Sequence, residues 1–305
     1  MEWTRVRRRT LSSVTALALL GAVAACGVRN DPNSYKTLPG EGWSYPLHFL
    51  RLENQFDATL GVYALDTGTG DEISYKPDER LGYASTFKAF LAAVFLRDYT
   101  FDELDEVVEF TEEDLEPHAP VAEENVDSGM TLLELGEAAV RYSDNTAANL
   151  LLAELGGLEV LNEILVELGD DVTDMHQYEV NMGEFTEGET SDTTTPRAFA
   201  ENLDAFVFGD VLEEDKREVF TEWLQTNETG GDLVEAGVPA DWVVGGTTGT
   251  GVNHGIRNNI VVLWPPESDP IVLAVMTKRP DPDAEPDDAL LAEAAAIVVD
   301  EFSDQ

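Results

Sequence analysis

What most constrains this chain is where its strand-like segments fall: at the two ends, with a long helical stretch between them. Residues 46–56 read as a first helix and residues 58–65 as an apolar strand. The Asp-Thr-Gly-Thr-Gly stretch at 66–70 makes a hairpin turn, and residues 72–75 return. In the last third, residues 242–244, 259–264 and 270–277 alternate or run apolar between Gly- and Pro-rich turns, before a closing helix over 289–302. From Ser85 to about Phe206 the spacing predicts helices. One covers 85–97, and a Thr131-to-Glu134 capping box opens another that runs to about Tyr142. Two more, at 146–155 and 158–168, stop at Gly156-Gly157 and Gly169. Thr195 and Pro196 start the next, as N-cap and first helical residue. Residues 170–194 show no period, and an unstructured run of that length inside a compact region is more often functional than not. The strand segments must pair across this helical middle. The expectation is an α+β fold: a five-stranded antiparallel sheet built from both termini, a helical part inserted, and an active site at their interface. Residues 46–80 and 226–305 would form the α/β part of a single domain and residues 81–225 the helical part.

The first 25 residues stand apart. Arg5, Arg7, Arg8 and Arg9 precede a short apolar run over 11–25, too short for a confident membrane span and shaped like a signal peptide. The run ends Val23-Ala24-Ala25-Cys26, which resembles a bacterial lipobox. That resemblance implies lipidation of Cys26, an exported protein anchored to the outer face of the membrane, and a polar tether over 26–45. An ordinary secretory signal with a chance cysteine is the competing reading. Cys26 is the single cysteine, so neither an intrachain disulfide nor a cysteine metal site can form. His48, His118, His176 and His254 are scattered without ligand spacing; no metal and no cofactor are expected. With 18 basic against 61 acidic residues the net charge is −43, which repels nucleic acid and excludes a DNA or RNA role. So acidic and lysine-poor a surface suggests a salt-rich setting, where counterions screen its self-repulsion. A monomer is expected.

The chemistry concentrates in a few short motifs. Ser85-Thr86-Phe87-Lys88 places a hydroxyl and an amine about one helical turn apart at a helix start. A serine needs an adjacent base to become a nucleophile, and a desolvated lysine can serve when neutral. The helix N-terminus adds backbone N–H groups suited to an oxyanion. Ser143-Asp144-Asn145 lies at a helix–helix junction, and Thr247-Thr248-Gly249 on a strand of the last third. Alone, Ser85 to Lys88 reads better as a capping serine with an exposed lysine, and Ser143-Asp144-Asn145 equally well as a simple helix cap. Together, in this order, they form a known signature of serine acyl-transfer enzymes.

From about Leu47 to the C-terminus the chain resembles class A β-lactamases. Matching stretches include residues 60–68, 141–150 and 192–196, and the aperiodic loop matches that family's Ω-loop. The resemblance implies a β-lactam as the small-molecule substrate. It makes Ser85 the nucleophile, and Lys88 the base together with Glu179 acting through a water. Ser143 would protonate the departing nitrogen, and Glu179 would activate the hydrolytic water. It implies substrate binding by Asn145, Thr248, Gly249, Thr250 and Arg257, with the N–H groups of Ser85 and Thr250 as the oxyanion hole. Several residues depart from the pattern. Thr247 replaces a usual lysine that attracts the substrate carboxylate, and Gly183 replaces an asparagine that helps hold the water. Gln177 replaces an arginine, so a salt bridge to Asp192 is lost and a looser loop is expected. His118 stands where an aromatic residue often lines the cleft entrance. His254, in a segment one residue longer than usual, reads first as a solvated turn histidine and only second as a partial replacement for the missing cation. Two other readings stay open: a DD-peptidase-like acyl-transfer enzyme, and a catalytically weakened lipoprotein that binds cell-wall ligands.

Overall fold

The computed structural model describes residues 45–303; Cys26 and the leader and tether around it lie outside the described residues. Helix α1 (Tyr45–Phe56) leads into β1 (Thr59–Asp66) and β2 (Glu72–Tyr75), then a two-residue strand β3 (Leu81–Gly82). The helical part follows: α2 (Phe87–Asp98), α3 (Phe101–Leu104), β4 (Val107–Val108), β5 (Met130–Thr131), α4 (Leu132–Arg141), α5 (Asn145–Leu155) and α6 (Leu158–Leu168). After the long loop come β6 (Thr193–Thr194), α7 (Pro196–Val207) and α8 (Glu214–Gln225). The chain closes with β7 (Val243–Thr250), β8 (Arg257–Trp264), β9 (Ile271–Lys278) and α9 (Asp288–Ser303).

The main sheet runs β2-β1-β9-β8-β7, every neighbour antiparallel. Its two faces feed two cores, because successive side chains on a strand point to opposite sides. Leu60, Val62, Val261, Leu263, Leu273 and Val275 pack with α1 and α9 on one face. Tyr63, Ile260, Val262, Val272, Ala274 and Met276 pack with the helical part on the other. At about 1.5–3 kcal/mol for each fully buried aliphatic side chain, these alternating rows fix the register, since a one-residue slip would exchange the two faces. In α2 every residue from Phe87 to Leu96 is buried, the pattern of a helix at the centre of a core.

The expected five-stranded sheet and the helices around it are present, with three differences inside the helical part. The helix expected over 85–97 is a 3₁₀ turn, Ala84–Thr86, followed by α2. Two short ladders, β3 with β6 and β4 with β5, interrupt the region read as helical. Helix α8 lies beyond the helices expected from the sequence, and Phe220, Trp223 and Leu224 make the buried stripe that a helix needs. The β3–β6 ladder matters most: it ties the end of the long loop to the segment that delivers Ser85.

Candidate active site

The Ser85 turn is held from three sides. Asn258 of β8 donates its amide to Gly82 O (2.8 Å) and Tyr83 O (3.1 Å), and Thr86 Oγ1 donates to Tyr83 O at 2.7 Å. Strand β7, an edge of the sheet, lies against the turn so closely that a Cβ on Gly249 would stand 2.7 Å from Tyr83 O. Glycine is required there by this approach of two backbones. Ala84 (φ 48°), His118 (φ 61°), Ser143 (φ 55°) and Asp192 (φ 54°) all adopt the left-handed conformation, which costs a non-glycine residue about 1 kcal/mol or more. All four lie in or beside the segments that assemble the site.

Ser85, Lys88 and Glu179 form a closed set of contacts. Ser85 Oγ donates to Glu179 Oε1 at 2.7 Å, Lys88 Nζ donates to Ser85 Oγ at 3.2 Å, and Lys88 Nζ stands 3.0 Å from Glu179 Oε1. Lys88 also donates to Asn145 Oδ1 (2.5 Å), Ser143 O (2.9 Å) and Ser143 Oγ (3.2 Å). Its side chain is fully buried (0% exposed), and Glu179's nearly so (4%). Burial pushes the Lys88 amine below its ordinary value, against the opposing pull of Glu179 and then Asp144. Lys88 therefore has a proton-accepting form within easier reach than a surface lysine. The Ser85 hydroxyl thus lies within direct reach of the Glu179 carboxylate.

The junction of α4 and α5 presents Ser143 and Asn145. Asp144 caps α5 by accepting from Ala147 N (2.9 Å), and its other oxygen accepts from Val121 N and Ala122 N (3.0 Å each). Asn145 N donates to His118 O at 3.0 Å and Asn145 Nδ2 to Pro117 O at 2.6 Å. On the facing side, Thr248 Oγ1 pairs with Thr229 Oγ1 (2.6 Å), and Thr250 Oγ1 accepts from Arg257 Nη1 (2.7 Å). Arg257 also pairs with Asp288 through Nε at 2.7 Å, so part of its charge is already engaged. Thr247 is buried in β7 at 3% exposure. The structure thus brings Ser85, Lys88, Ser143, Asn145 and Glu179 together, with Thr248, Gly249, Thr250 and Arg257 along β7 and β8. No group of metal-ligating side chains gathers anywhere among the described residues.

One expectation needs correction, and the lesser reading of His254 finds no support. His254 does not supply a cation to the cleft: Nδ1 faces Arg279 O at 2.9 Å and the ring packs edge-on against Phe185. The loop is also not loosened by Gln177. Asp192 accepts from Tyr83 Oη (2.8 Å), His176 N (2.9 Å), Gln177 N (3.1 Å) and Gln177 Nε2 (3.0 Å), so neutral donors take the place of the salt bridge. Burial and the neighbouring Asp192 raise the Tyr83 phenol well above its ordinary value, which keeps it a donor. Sequence reasoning gave no role to Asn149, which grips Glu179 from α5. Its Nδ2 donates to Glu179 O (3.0 Å) and its Oδ1 accepts from Glu179 N (3.1 Å). Its position one helical turn past Asn145, on the face that carries the motif, was the available signal.

Comparison with known proteins gives the same picture. A model of the β-lactamase enzyme family matches residues 48–302. A β-lactamase from Amycolatopsis lactamdurans is 50% identical over 251 residues, covering 82% of this chain and 83% of that protein. A halotolerant bacterial β-lactamase structure is similar with TM-score 0.82 at 45% identity, covering 84% of this chain and 98% of the other. The class A β-lactamase of Clostridium kluyveri DSM 555 gives 0.83 at 41% identity, covering 85% and 98%. Sequence motifs, fold and relatives converge: the chain belongs to the β-lactamase enzyme family, in its class A serine branch.

Proposed function

We propose that this protein hydrolyses β-lactams through an acyl-enzyme on Ser85. The observation that carries the reading is the buried contact set of Ser85 Oγ, Lys88 Nζ and Glu179 Oε1, each within 3.2 Å of the others. In acylation Ser85 Oγ attacks the lactam carbonyl carbon while its proton passes to Glu179 or to neutral Lys88, both in direct contact. Developing charge on the carbonyl oxygen is met by the N–H groups of Ser85 and Thr250. The C–N bond then breaks, and the ring nitrogen takes a proton from Ser143, which Lys88 can resupply across 3.2 Å. Once acylated, Ser85 no longer donates to Glu179. Glu179, a carboxylate again once any proton taken from Ser85 has passed to Lys88 across their 3.0 Å contact, takes a proton from a water whose oxygen attacks the ester carbon. Glu179 then delivers that proton to Ser85 Oγ as the ester C–O bond breaks.

Thr247 bears on rate rather than on the order of steps. No ammonium stands at that point of β7, and charge-assisted contacts contribute about 1.5–3 kcal/mol each. Recognition of the substrate carboxylate falls to Arg257 and the hydroxyls of β7, so efficiency is reduced relative to a lysine-bearing enzyme. The reading is tested with nitrocefin and a labelled penicillin, following turnover and covalent mass together. Steady turnover with a transient Ser85 adduct is expected. Absence of any adduct on Ser85 would overturn it, and an adduct that never clears would favour the DD-peptidase-like alternative.

A further inference from the structure

The loop carrying Glu179 is fastened three times by the same device: an asparagine amide closing a two-bond ring with one residue's backbone N–H and C=O. Asn162 of α6 grips Met175 (2.8 and 3.1 Å) and Asn149 of α5 grips Glu179 (3.0 and 3.1 Å). Asn253, in the β7–β8 turn, grips Phe185 with two bonds of 3.0 Å. The third clamp comes from the opposite wall of the site, and other contacts surround it. Val252 N donates to Gly183 O at 2.8 Å, and a Cβ on Gly183 would stand 3.0 Å from Val252 Cγ2. Lys278 places its ammonium over the Phe185 ring, 4.5 Å from the centroid, and pairs with Glu187 at 2.6 Å.

Between the second and third clamps three backbone hydrogen bonds close a 3₁₀ turn at Asn181–Gly183. Met182 N donates to Tyr178 O (3.1 Å), Gly183 N to Val180 O (3.1 Å) and Glu184 N to Asn181 O (2.9 Å). This bonded turn over residues 178–184 serves as a short rod, fixed at Glu179 by Asn149 and, at Phe185 just past its end, by Asn253. The turn approaches Gly183 closely: a Cβ there would also stand 3.2 Å from Val252 N, so a larger residue needs Val252 to give by a few tenths of an ångström.

We infer that Asn253 is a positioning residue for deacylation, holding the Glu179 carboxylate in place through the Phe185 end of the rod. The inference rests on the acyl-enzyme reading. It concerns deacylation because a freed rod end changes where Glu179 can hold a water, a placement sensitive to shifts of an ångström or less. Acylation retains Lys88, which is anchored on α2 and α5 and makes no contact with the turn.

The test uses the full-length protein, its Asn253→Ala variant and its Asn253→Asp variant, which keeps the acceptor for Phe185 N–H and loses the donor. Rapid-quench mass spectrometry with benzylpenicillin reads both rates, and amide hydrogen exchange reads residues 180–185. In Asn253→Ala the Ser85 adduct is expected to clear about tenfold more slowly, with acylation within about twofold of the parent and faster exchange over 180–185. Asn253→Asp should fall between the two and decides the matter if the alanine variant fails to fold. Clearance at the parent rate, or an equal fall in both steps, would overturn the inference. Unchanged exchange at 180–185 would also overturn it, even if the parent formed no Ser85 adduct and the acyl-enzyme reading itself had failed.

Discussion

Lys88 sits under two opposed demands. Its helix is buried from Phe87 to Leu96, which disfavours the ammonium, while Glu179 beside it favours charge. Burial prevails, so the folded protein releases this proton more readily than the unfolded chain does. Between the lowered folded value and the ordinary 10.5 the unfolded state binds more protons, and this residue's contribution to stability rises with pH across that window. Below the folded value both states are protonated and the burial penalty is fully present. For catalysis the sign is the same: the base form of Lys88 grows with pH. The single-turnover acylation rate should therefore climb with pH and level above Lys88's folded value, and a flat profile would remove the lysine from the proton path. A second prediction lies at Thr247. Thr247→Lys should raise kcat/KM for carboxylate-bearing β-lactams about tenfold or more, the range of one charge-assisted contact. An unchanged or lower value would show that the missing cation is not what limits the enzyme.

The long loop behaves as a built element rather than a flexible connection. Asp192 collects four donors at its base, two of them backbone N–H groups, while the three asparagine clamps hold the rest of its length. Asp192→Ala would leave those donors unpaired at a cost of about 2–4 kcal/mol. A thermal melt should show a Tm lower by roughly 5–10 °C, and a shift of under about 1 °C would contradict this account of the loop. The same loop shows what was legible from sequence. Residues whose role is local could be read directly: the Thr131 capping box, the Thr195–Pro196 helix start and the glycines at 156 and 169 all stand where expected. Ser85, Lys88, Ser143 and Asn145 could be read because their motif spacing is itself local. Asn253 and Gln177 could not be read, because their function depends on which backbone group a distant segment presents. An amide carries no periodic signal of its partner. The loss of an arginine looked like loosening only because the donors from Tyr83 and the loop backbone were out of view.

At the scale of the molecule, a net charge of −43 on 305 residues is a standing self-repulsion. We propose that the fold is adapted to salt: counterions screen that repulsion over a Debye length of about 3 Å at 1 M, against about 10 Å at 0.1 M. The urea midpoint of unfolding should rise from low to molar salt, and a flat or falling midpoint would contradict the proposal. The asparagine clamps are neutral, so deacylation should depend on salt much less than global stability does. Export and anchoring through Cys26 remain a proposal from the lipobox, and would place this chemistry outside the cell. In the proposed mechanism Ser85 carries the acyl group and Glu179 removes it. The most direct measurement is time-resolved intact-mass spectrometry of Glu179→Gln with benzylpenicillin, with peptide mapping of the adduct. A one-to-one adduct on Ser85 is expected, accumulating and persisting long after the parent enzyme has cleared its own. An adduct at another residue, or one that clears at the parent rate, would contradict it.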